Sequence, residues 1–357
     1  MTPYLVVVVT PLIISLFQQI IHTRNYNVGE DVRKKRNIHF LLLSGIIVFL
    51  FLSFRSQYVG NEDTRNYYNM MKKAVSSSNW NDYYNENGIE IGFQLFVFGL
   101  SRIFHDPQWL LVFSSAICII SVSYYIYHNS DDIVMSMVMY ISLDLMCFQM
   151  QIMRQSIAMS ICLFAFEYAK KKKPIRFFLL VLLASQIHRT SMVFAVVYFI
   201  RWLKYDIKSM VLIALGSSIM LLYSGRIISK ANEFFETNYT NLVSSGGFVA
   251  VAIYILIILT AFMFNKKLKN NCNEVMIMYI TIMGFVIYIL RYFGTLIAER
   301  ISFYFVFGQL ALLPNTLKQL PERERILVKY FVYALMISLY IYRLKGIGML
   351  PYEFFWQ

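Results

Sequence analysis

The sequence predicts an all-α protein, a polytopic bundle of transmembrane helices. Of its 357 residues, 58% are hydrophobic and only 15% are charged, whereas a soluble protein carries roughly 25% charged residues. The charges are gathered into short clusters between long apolar runs. These runs do not alternate in polarity, as the roughly ten-residue strands of a membrane barrel would, so helices are predicted to cross the bilayer.

Ten apolar segments are long enough to span, because a helix needs about 20 apolar residues to cross a bilayer core. They are residues 3–21, 38–54, 108–127, 133–150, 152–169, 208–224, 247–264, 273–292, 296–316 and 326–343. Residues 91–104 are short for a crossing, so we expect a re-entrant or interfacial helix there. Residues 175–203 are too long for one span and are interrupted by polar residues, so they should fold back at Gln186–Thr190 as two half-helices.

The basic clusters predict the orientation of these helices. Arg33–Arg36 is the strongest early cluster, and the positive-inside rule assigns it to the cytoplasm. The other basic clusters then fall on the same side: Lys170–Lys173, Arg201–Lys208, Lys266–Lys269 and Arg323–Arg325. Both termini are therefore expected outside the cytoplasm, with 56–90 as the main extracytoplasmic loop and 225–246 as a second. No linker divides the chain, so 1–357 is predicted to form one integral membrane domain.

The charge and the cysteines exclude several functions. A net charge of +13 is explained by short basic loops, and no basic stretch interleaved with exposed aromatic residues indicates nucleic-acid binding. Three of the four cysteines lie inside apolar segments, and none has metal-ligand spacing. We therefore expect no nucleic-acid partner, no metal and no other cofactor.

Ionisable residues inside membrane segments are costly, so they usually face a protein interior or an aqueous cavity. The sequence has nine: Arg55, Asp144, Arg154, Glu167, His188, Arg189, Arg291, Glu299 and Arg300. The predicted topology brings five basic ones close to one outward-facing level: Arg55, Arg154, His188, Arg291 and Arg300. Guanidinium groups match phosphate oxygens bidentately, so a phosphate or pyrophosphate is the natural ligand.

Simpler interpretations exist for each of these residues. Arg55 and Arg291 could extend toward lipid head groups, and a lone His188 could be a satisfied packing residue. Glu167 lies one turn from a lysine cluster and fits an interfacial charge. Asp144, near the middle of the membrane, could pair with a basic neighbour, and we assign it no chemistry.

Four runs of residues, in order, resemble the EpsG family of bacterial exopolysaccharide polymerases, which are Wzy-like proteins. They are FRSQYVGNEDTRNYY (54–68), GIEIGFQLF (88–96), MRQSIAMSI (153–161) and LLASQIHRTSMV (182–193), and the C-terminal PYEFFW (351–356) also fits. The resemblance implies an inverting, GT-C-like glycosyltransferase of the bacterial plasma membrane. Such enzymes join oligosaccharide repeat units carried on undecaprenyl pyrophosphate at the outer face, with a flippase and a chain-length regulator as candidate protein partners.

The family pattern marks eight positions of this sequence: Arg55, Gly60, Asp63, Tyr67, Glu90, Arg154, Gln155 and His188. The chemistry requires cationic groups for the leaving pyrophosphate and a base for the attacking sugar hydroxyl. Four arginines are predicted to bind the pyrophosphate: Arg55, Arg154, Arg291 and Arg300. Asp63, Glu90 and His188 are the candidate catalytic groups. Asp63 is preferred as the base, and His188 as a donor to phosphate. Tyr67 and Gln155 are predicted to bind sugar.

Several roles stay open at this stage. Asp63 could be a solvated loop acid, and Glu90 could stabilise a helix N-terminus. The aromatic residues of 56–90 could stack on sugar rings or form an interfacial belt. The principal alternative function is a flippase for lipid-linked oligosaccharide, because transporters also use broken helices. A membrane acyltransferase would not explain so many outward arginines, whereas a non-catalytic scaffold in a polysaccharide export complex stays open.

Overall fold

The structure, a computed structural model, describes residues 1–22, 30–60, 62–84, 89–143, 145–223, 226, 229–230, 233, 247–293, 296–344 and 350–357. Its α-helices are α1 Thr2–His22, α2 Glu30–Ser53, α3 Glu62–Ser76, α4 Trp80–Tyr83, α5 Ile91–Ser101, α6 Gln108–Asn129, α7 Ile133–Ser142, α8 Leu145–Gln151, α9 Met153–Lys170, α10 Pro174–Ile187, α11 Val197–Ile200, α12 Ile207–Leu222, α13 Phe248–Phe264, α14 Cys272–Ile289, α15 Leu296–Val306, α16 Gln309–Leu317 and α17 Glu322–Leu344. Short 3₁₀ helices occupy Arg189–Val196, Lys266–Lys269 and Leu290–Phe293. The predicted all-α class is confirmed.

Five helical segments of the described chain are long and apolar enough to cross a membrane by themselves. They are Thr2–Ile20, Glu30–Ser53, Gln108–Asn129, Cys272–Tyr292 and Glu322–Leu344. The pair α7 and α8, bent by 48°, gives a sixth candidate span. This number is lower than the ten predicted segments because several of those fold as shorter helices, such as α13 with 17 residues. The polytopic helical character is confirmed.

The predicted span 296–316 is broken into α15 and α16 at a glycine. A Cβ atom on Gly308 would collide with Thr281 Oγ1 and would lie 3.1 Å from the carbonyl oxygen of Ile277. Glycine therefore allows the backbone of this segment to approach α14 closely. The break follows from packing of the helices, and hydropathy alone does not reveal it.

The chain divides into two compact units, one made of Met1–Ser160 with Glu322–Gln357 and the other of Ile161–Pro321. The boundary falls inside α9, so no linker marks it in the sequence. Each unit is described here by itself. That the two units associate into a single membrane domain stays a prediction.

In the first unit, the start of α6 is tied to the end of α2. The amide Nε2 of Gln108 donates to the carbonyl oxygens of Ser53, at 2.6 Å, and Arg55, at 3.0 Å. The intervening chain, 56–107, thus leaves and rejoins the helix bundle at the same end. The 11-residue helix α5 therefore does not carry the chain across a membrane, in agreement with its short length.

The C-terminal segment pairs with the same end of α2. The backbone N–H of Ser56 donates to the carbonyl oxygen of Glu353 at 2.9 Å, and Phe355 N–H donates to the Phe54 carbonyl at 3.0 Å. Between them, Arg55 and Phe354 form an isolated antiparallel bridge. The loop that follows α2 is thereby held on one side by main-chain hydrogen bonds.

Tyr352 fixes the C-terminal segment against two further elements. Its ring stacks on Phe51 at 4.5 Å and meets Tyr4 of α1 edge-on at 5.6 Å, and its hydroxyl donates to the Phe51 carbonyl at 2.6 Å. Tyr340 of α17 lies on the other side of Tyr4, at 6.5 Å. This aromatic cluster joins α1, α2 and α17.

The second unit contains the predicted hairpin. Helix α10 ends at Ile187, and His188 adopts an extended conformation (φ −154°, ψ 116°) before the 3₁₀ helix Arg189–Val196. The ring of Phe177, near the start of α10, lies 6.2 Å from Phe194 and 5.4 Å from Tyr198. The two arms therefore run side by side, and the predicted fold-back at Gln186–Thr190 is confirmed.

Polar contacts inside each unit join helix ends that the predicted topology assigns to one face. In the first unit, Lys329 Nζ lies 2.6 Å from Asp132 Oδ2. In the second, the buried carboxylate of Glu274 accepts hydrogen bonds from Asn315, at 2.7 Å, and Asn265, at 3.2 Å. These contacts agree with the order of the predicted crossings, whereas which face is cytoplasmic stays a prediction.

Candidate functional site

The first candidate cluster is centred on Arg154, the second residue of α9. Its Nη1 donates to Glu90 Oε2 at 2.6 Å, and its Nε donates to the hydroxyl of Tyr67 at 3.0 Å. The side chain of Arg154 is 21% exposed and that of Glu90 9% exposed. Part of the Arg154 side chain is therefore accessible, although two of its guanidinium nitrogens already have protein partners.

Each partner of Arg154 is positioned by its own element. Glu90 immediately precedes α5, and its side chain makes no capping hydrogen bond to that helix, because it turns to Arg154 instead. Tyr67 lies on α3, where its buried ring meets Phe93 edge-on at 5.4 Å. The cluster thus unites three segments that the sequence separates by 64 and 87 residues.

Asp63 lies in the first turn of α3, four residues before Tyr67. Side chains four residues apart share one face of a helix, so Asp63 is on the face of α3 that carries Tyr67. Asp63 is half-buried. The structure therefore brings Tyr67, Glu90 and Arg154 into contact, and Asp63 lies one helical turn before Tyr67.

The turn before α3 depends on Gly60. Its φ of +132° is a conformation that residues with a side chain rarely adopt, and a Cβ atom there would lie 2.8 Å from Thr64 Oγ1. Thr64 Oγ1 in turn donates to the carbonyl oxygen of Met150 at 2.9 Å. The close approach of this turn to the end of α8 sets the direction in which α3 leaves, and hence the position of Asp63.

Arg55, predicted to bind pyrophosphate, is almost completely buried, with 1% of its surface exposed. Its guanidinium donates to two main-chain carbonyl oxygens, that of Leu52 and, at 3.2 Å, that of Met150. The first contact is local to the end of α2, and the second links it to the end of α8. This geometry favours a structural role for Arg55 over direct contact with a ligand.

Gln155, predicted to bind sugar, is fully buried at 0% exposure. It follows Arg154 directly on α9, and consecutive helical residues point about 100° apart. The structure therefore does not give Gln155 the access that Arg154 has. A supporting role inside the first unit fits this position better than contact with a sugar.

The second candidate cluster belongs to the second unit and is centred on Arg291. Its Nη1 donates to Glu299 Oε1 at 2.9 Å and also to the hydroxyl of Tyr288. The guanidinium lies 4.9 Å from the ring centre of Tyr288. Only 7% of the Arg291 side chain is exposed, and a Cβ atom on Gly247 would lie 2.7 Å from its Nη1.

His188 and Arg300 occupy the same part of the second unit. Thr190, two residues after His188, has its hydroxyl 3.0 Å from that of Tyr304 on α15, and Arg300 lies one turn before Tyr304. Both His188 and Arg300 are half-buried. The predicted basic set is thus divided, with Arg55 and Arg154 in the first unit and His188, Arg291 and Arg300 in the second.

Among the aromatic residues of 56–90, those of α4 pack against one another and against α5. Trp80 stacks on Tyr84 at 5.4 Å and meets Phe98 edge-on at 5.5 Å, while Tyr83 stacks on Phe98. Tyr83 is buried, whereas Tyr84 is 37% exposed. Only part of this group could therefore contact a sugar.

Sequence reasoning missed three residues that position the clusters: Thr64, Gln108 and Tyr288. Tyr288 could have been found, because it precedes Arg291 by three residues and so shares its helix face. Thr64 and Gln108 bind main-chain carbonyl oxygens of distant segments, and no local pattern indicates this. Asp144 lies outside the described residues.

Comparison with known proteins gives one match. A family model described as the EpsG family matches residues 38–354, which is nearly the whole chain. The protein therefore belongs to the EpsG family, as the resemblance in the sequence indicates, and is a membrane protein. No curated protein and no solved structure matches the chain.

Proposed function

From its membership of the EpsG family, we propose that this protein is a polysaccharide polymerase of the bacterial plasma membrane. It joins oligosaccharide repeat units carried on undecaprenyl pyrophosphate, with inversion at the anomeric carbon. The observation that carries the proposal is the family match over residues 38–354. The contacts of Arg154 with Tyr67 and Glu90 support it, since they combine a partly exposed arginine with a carboxylate, and Asp63 lies one turn before Tyr67 on α3.

The proposed reaction is one displacement at the anomeric carbon of the donor sugar. A hydroxyl of the acceptor sugar attacks that carbon, the bond to the pyrophosphate oxygen breaks, and the pyrophosphate leaves with the electron pair. Asp63 accepts the proton of the attacking hydroxyl. Arg154 binds the pyrophosphate, where its fork stabilises the negative charge as it grows.

Glu90 holds Arg154 before substrate binds. The Glu90–Arg154 contact of 2.6 Å fixes the guanidinium, and the hydrogen bond to Tyr67 fixes its plane. The exposed part of the Arg154 side chain is then available to the pyrophosphate. We therefore assign Glu90 and Tyr67 to positioning, Arg55 and Arg291 to structural support, and retain His188 and Arg300 as proposed phosphate donors of the second unit.

The direct test is elongation of a lipid-linked repeat unit by the purified protein. The protein in detergent is incubated with the undecaprenyl-pyrophosphate-linked repeat unit, and the products are resolved by length. A ladder of longer products is expected, with release of undecaprenyl pyrophosphate. The Arg154→Ala variant serves as the control, and equal ladders from both proteins would remove Arg154 from the mechanism.

A flippase is the alternative function, and the hairpin around His188 is the feature that it shares with transporters. In proteoliposomes, a flippase moves the lipid-linked oligosaccharide between leaflets without lengthening it. Translocation together with unchanged oligosaccharide length would therefore replace the polymerase proposal. Elongation without translocation would support it.

The proposed orientation has the N- and C-termini and residues 56–90 outside the cytoplasm. Cysteine substitutions at Trp80 and near the C-terminus should react with an impermeant thiol reagent in intact cells, whereas Lys35→Cys should not. The exposed Cys272 is first replaced by serine in all variants. Labelling of the Lys35→Cys variant in intact cells would reverse the orientation.

A further inference from the structure

A groove of about 480 Å³ runs along the outside of the first unit between α2 and α6. It is lined by residues of α2 between Ile38 and Phe49, and of α6 between Ala116 and Tyr127. Nearly all of its lining atoms are apolar, and side chains along it are exposed, with Ile120 at 61% and Ile38 at 43%. None of the candidate site residues contributes to it.

The floor of the groove is formed by close contact of the two helices. A Cβ atom on Gly45 would lie 3.3 Å from Ile119 and 3.6 Å from the hydroxyl of Ser123. The backbones therefore approach closely at Gly45, and the larger side chains on either side form the walls. An apolar channel of this kind can hold a hydrocarbon chain.

One end of the groove is polar and basic. Lys34 and Lys35 precede Ile38 by four and three residues, so they lie on the same face of α2 one turn further along. Tyr127 of α6 lines this end and lies within electrostatic range of Lys34. A phosphate group above the groove would be within reach of two ammonium groups and a phenol.

Carboxylates also occur at this end, and they lie further from the groove. Lys34 Nζ is 3.0 Å from Glu30 Oε1 in an exposed pair, and exposed pairs of this kind are weak. Asp31 lies one turn beyond the lysines, farther from the apolar lining. The charged side chains of α2 nearest to the groove are therefore the two lysines, which are positive.

We propose that this groove binds one molecule of an anionic phospholipid of the surrounding bilayer. An acyl chain lies between Ile38 and Phe49 of α2 and the facing residues of α6, and the phosphate contacts Lys34, Lys35 and Tyr127. The proposal is independent of the polymerase activity. The bound lipid comes from the leaflet that contacts the N-terminal end of α2.

The test is native mass spectrometry of the detergent-purified protein with added phosphatidylglycerol or phosphatidylcholine of identical acyl chains. The wild-type protein should retain one phosphatidylglycerol in preference to phosphatidylcholine. Lys34→Gln with Lys35→Gln should lower phosphatidylglycerol retention by roughly fivefold for each lysine, since each basic group near a charged lipid contributes that much. Phosphatidylcholine retention should not change.

The matched control is Arg33→Gln with Arg36→Gln, which removes the same charge from the opposite side of the same helical turn. It should leave both lipids unchanged. Ile120→Trp should fill the groove and lower retention of both lipids, whereas Leu212→Trp, at a position of equal exposure (60%) on α12, should not. Size-exclusion chromatography checks that every variant is folded and monodisperse.

Three results would overturn the proposal. Equal loss in the Arg33/Arg36 variant would mean that the charges act without a defined site. Unchanged retention in Ile120→Trp would mean that the acyl chain lies elsewhere. Displacement of the lipid by undecaprenyl pyrophosphate, unaffected by the lysine substitutions, would assign the groove to the substrate's hydrocarbon tail.

Discussion

Two arginine clusters, one in each unit, use the same three kinds of group and differ in access. Arg154 binds Glu90 and the hydroxyl of Tyr67, and Arg291 binds Glu299 and the hydroxyl of Tyr288. The side chain of Arg154 is 21% exposed, whereas that of Arg291 is 7% exposed. The first guanidinium is thus partly accessible, and the second is almost enclosed.

The difference in access follows from where the partners come from. Arg291, Glu299 and Tyr288 lie within twelve consecutive positions, and Gly247 also approaches the guanidinium closely. The partners of Arg154 come from two distant segments that meet at its sides, which leaves its outer edge open. An arginine in a membrane segment is therefore a ligand candidate when its partners are remote and its side chain is accessible.

The largest effect is expected at Asp63, the acid that shares a helix face with the open cluster. Asp63→Asn removes the proposed base and should lower elongation by about 10²–10⁴-fold, as measured by product ladders. Glu62→Gln, the adjacent exposed acid of α3, removes the same charge and should leave the rate unchanged. Equal losses in the two variants would show that only net charge matters.

Lysine substitutions test the comparison itself. Arg154→Lys keeps the charge and loses the fork, so elongation should fall by about 10²–10³-fold, the cost of one transition-state donor. Arg291→Lys should lower the thermal midpoint in detergent and leave the rate of the folded protein unchanged. Arg65→Lys, on the exposed face of α3, is the silent control. A greater rate loss at Arg291 than at Arg154 would reverse our assignment.

Amide substitutions separate positioning from catalysis. Glu90→Gln should lower elongation by roughly tenfold, because it weakens an ion pair that fixes Arg154. Glu299→Gln should reduce stability only, as judged by the thermal midpoint. If Glu90→Gln costs as much activity as Asp63→Asn, Glu90 is the base and Asp63 is not.

The smallest effects are expected for the tyrosine hydroxyls. Tyr67→Phe removes one hydrogen bond to Arg154 and should lower elongation by a few-fold, since such a bond contributes about 1 kcal/mol. Tyr288→Phe should cost a similar free energy of unfolding with no change in rate. Unchanged activity in Tyr67→Phe would mean that Glu90 alone orients the guanidinium.

Local sequence patterns predicted those parts of the fold that depend on local composition. The hairpin at His188 was predicted because polar residues interrupt a long apolar run, and the short α5 because its run has too few residues. The break at Gly308 was not predicted, because it depends on how closely α14 approaches. Hydropathy gives the length of an apolar segment but not how closely other helices pack against it.

The sequence predicted which residues belong to the candidate site but not how they are arranged. The sequence indicated Arg154, Glu90, Tyr67 and Asp63, and the structure brings the first three into contact, with Asp63 one turn before Tyr67 on α3. It could not indicate that Arg55 donates to main-chain carbonyl oxygens, because a buried structural arginine and a ligand-binding arginine look alike in one sequence. Burial, which only the folded chain provides, separates the two.

The contact between Tyr4 and Tyr352, with ring centres 5.6 Å apart, constrains the number of membrane crossings. Tyr4 lies near the start of α1 and Tyr352 after the end of α17, so these two segments meet at one end of the first unit, as the prediction that both termini lie on one face requires. A chain that starts and finishes on one face crosses an even number of times. The predicted topology, with both termini on one face, therefore needs at least one crossing besides the five long apolar helices of the described chain, from its bent or shorter helical segments.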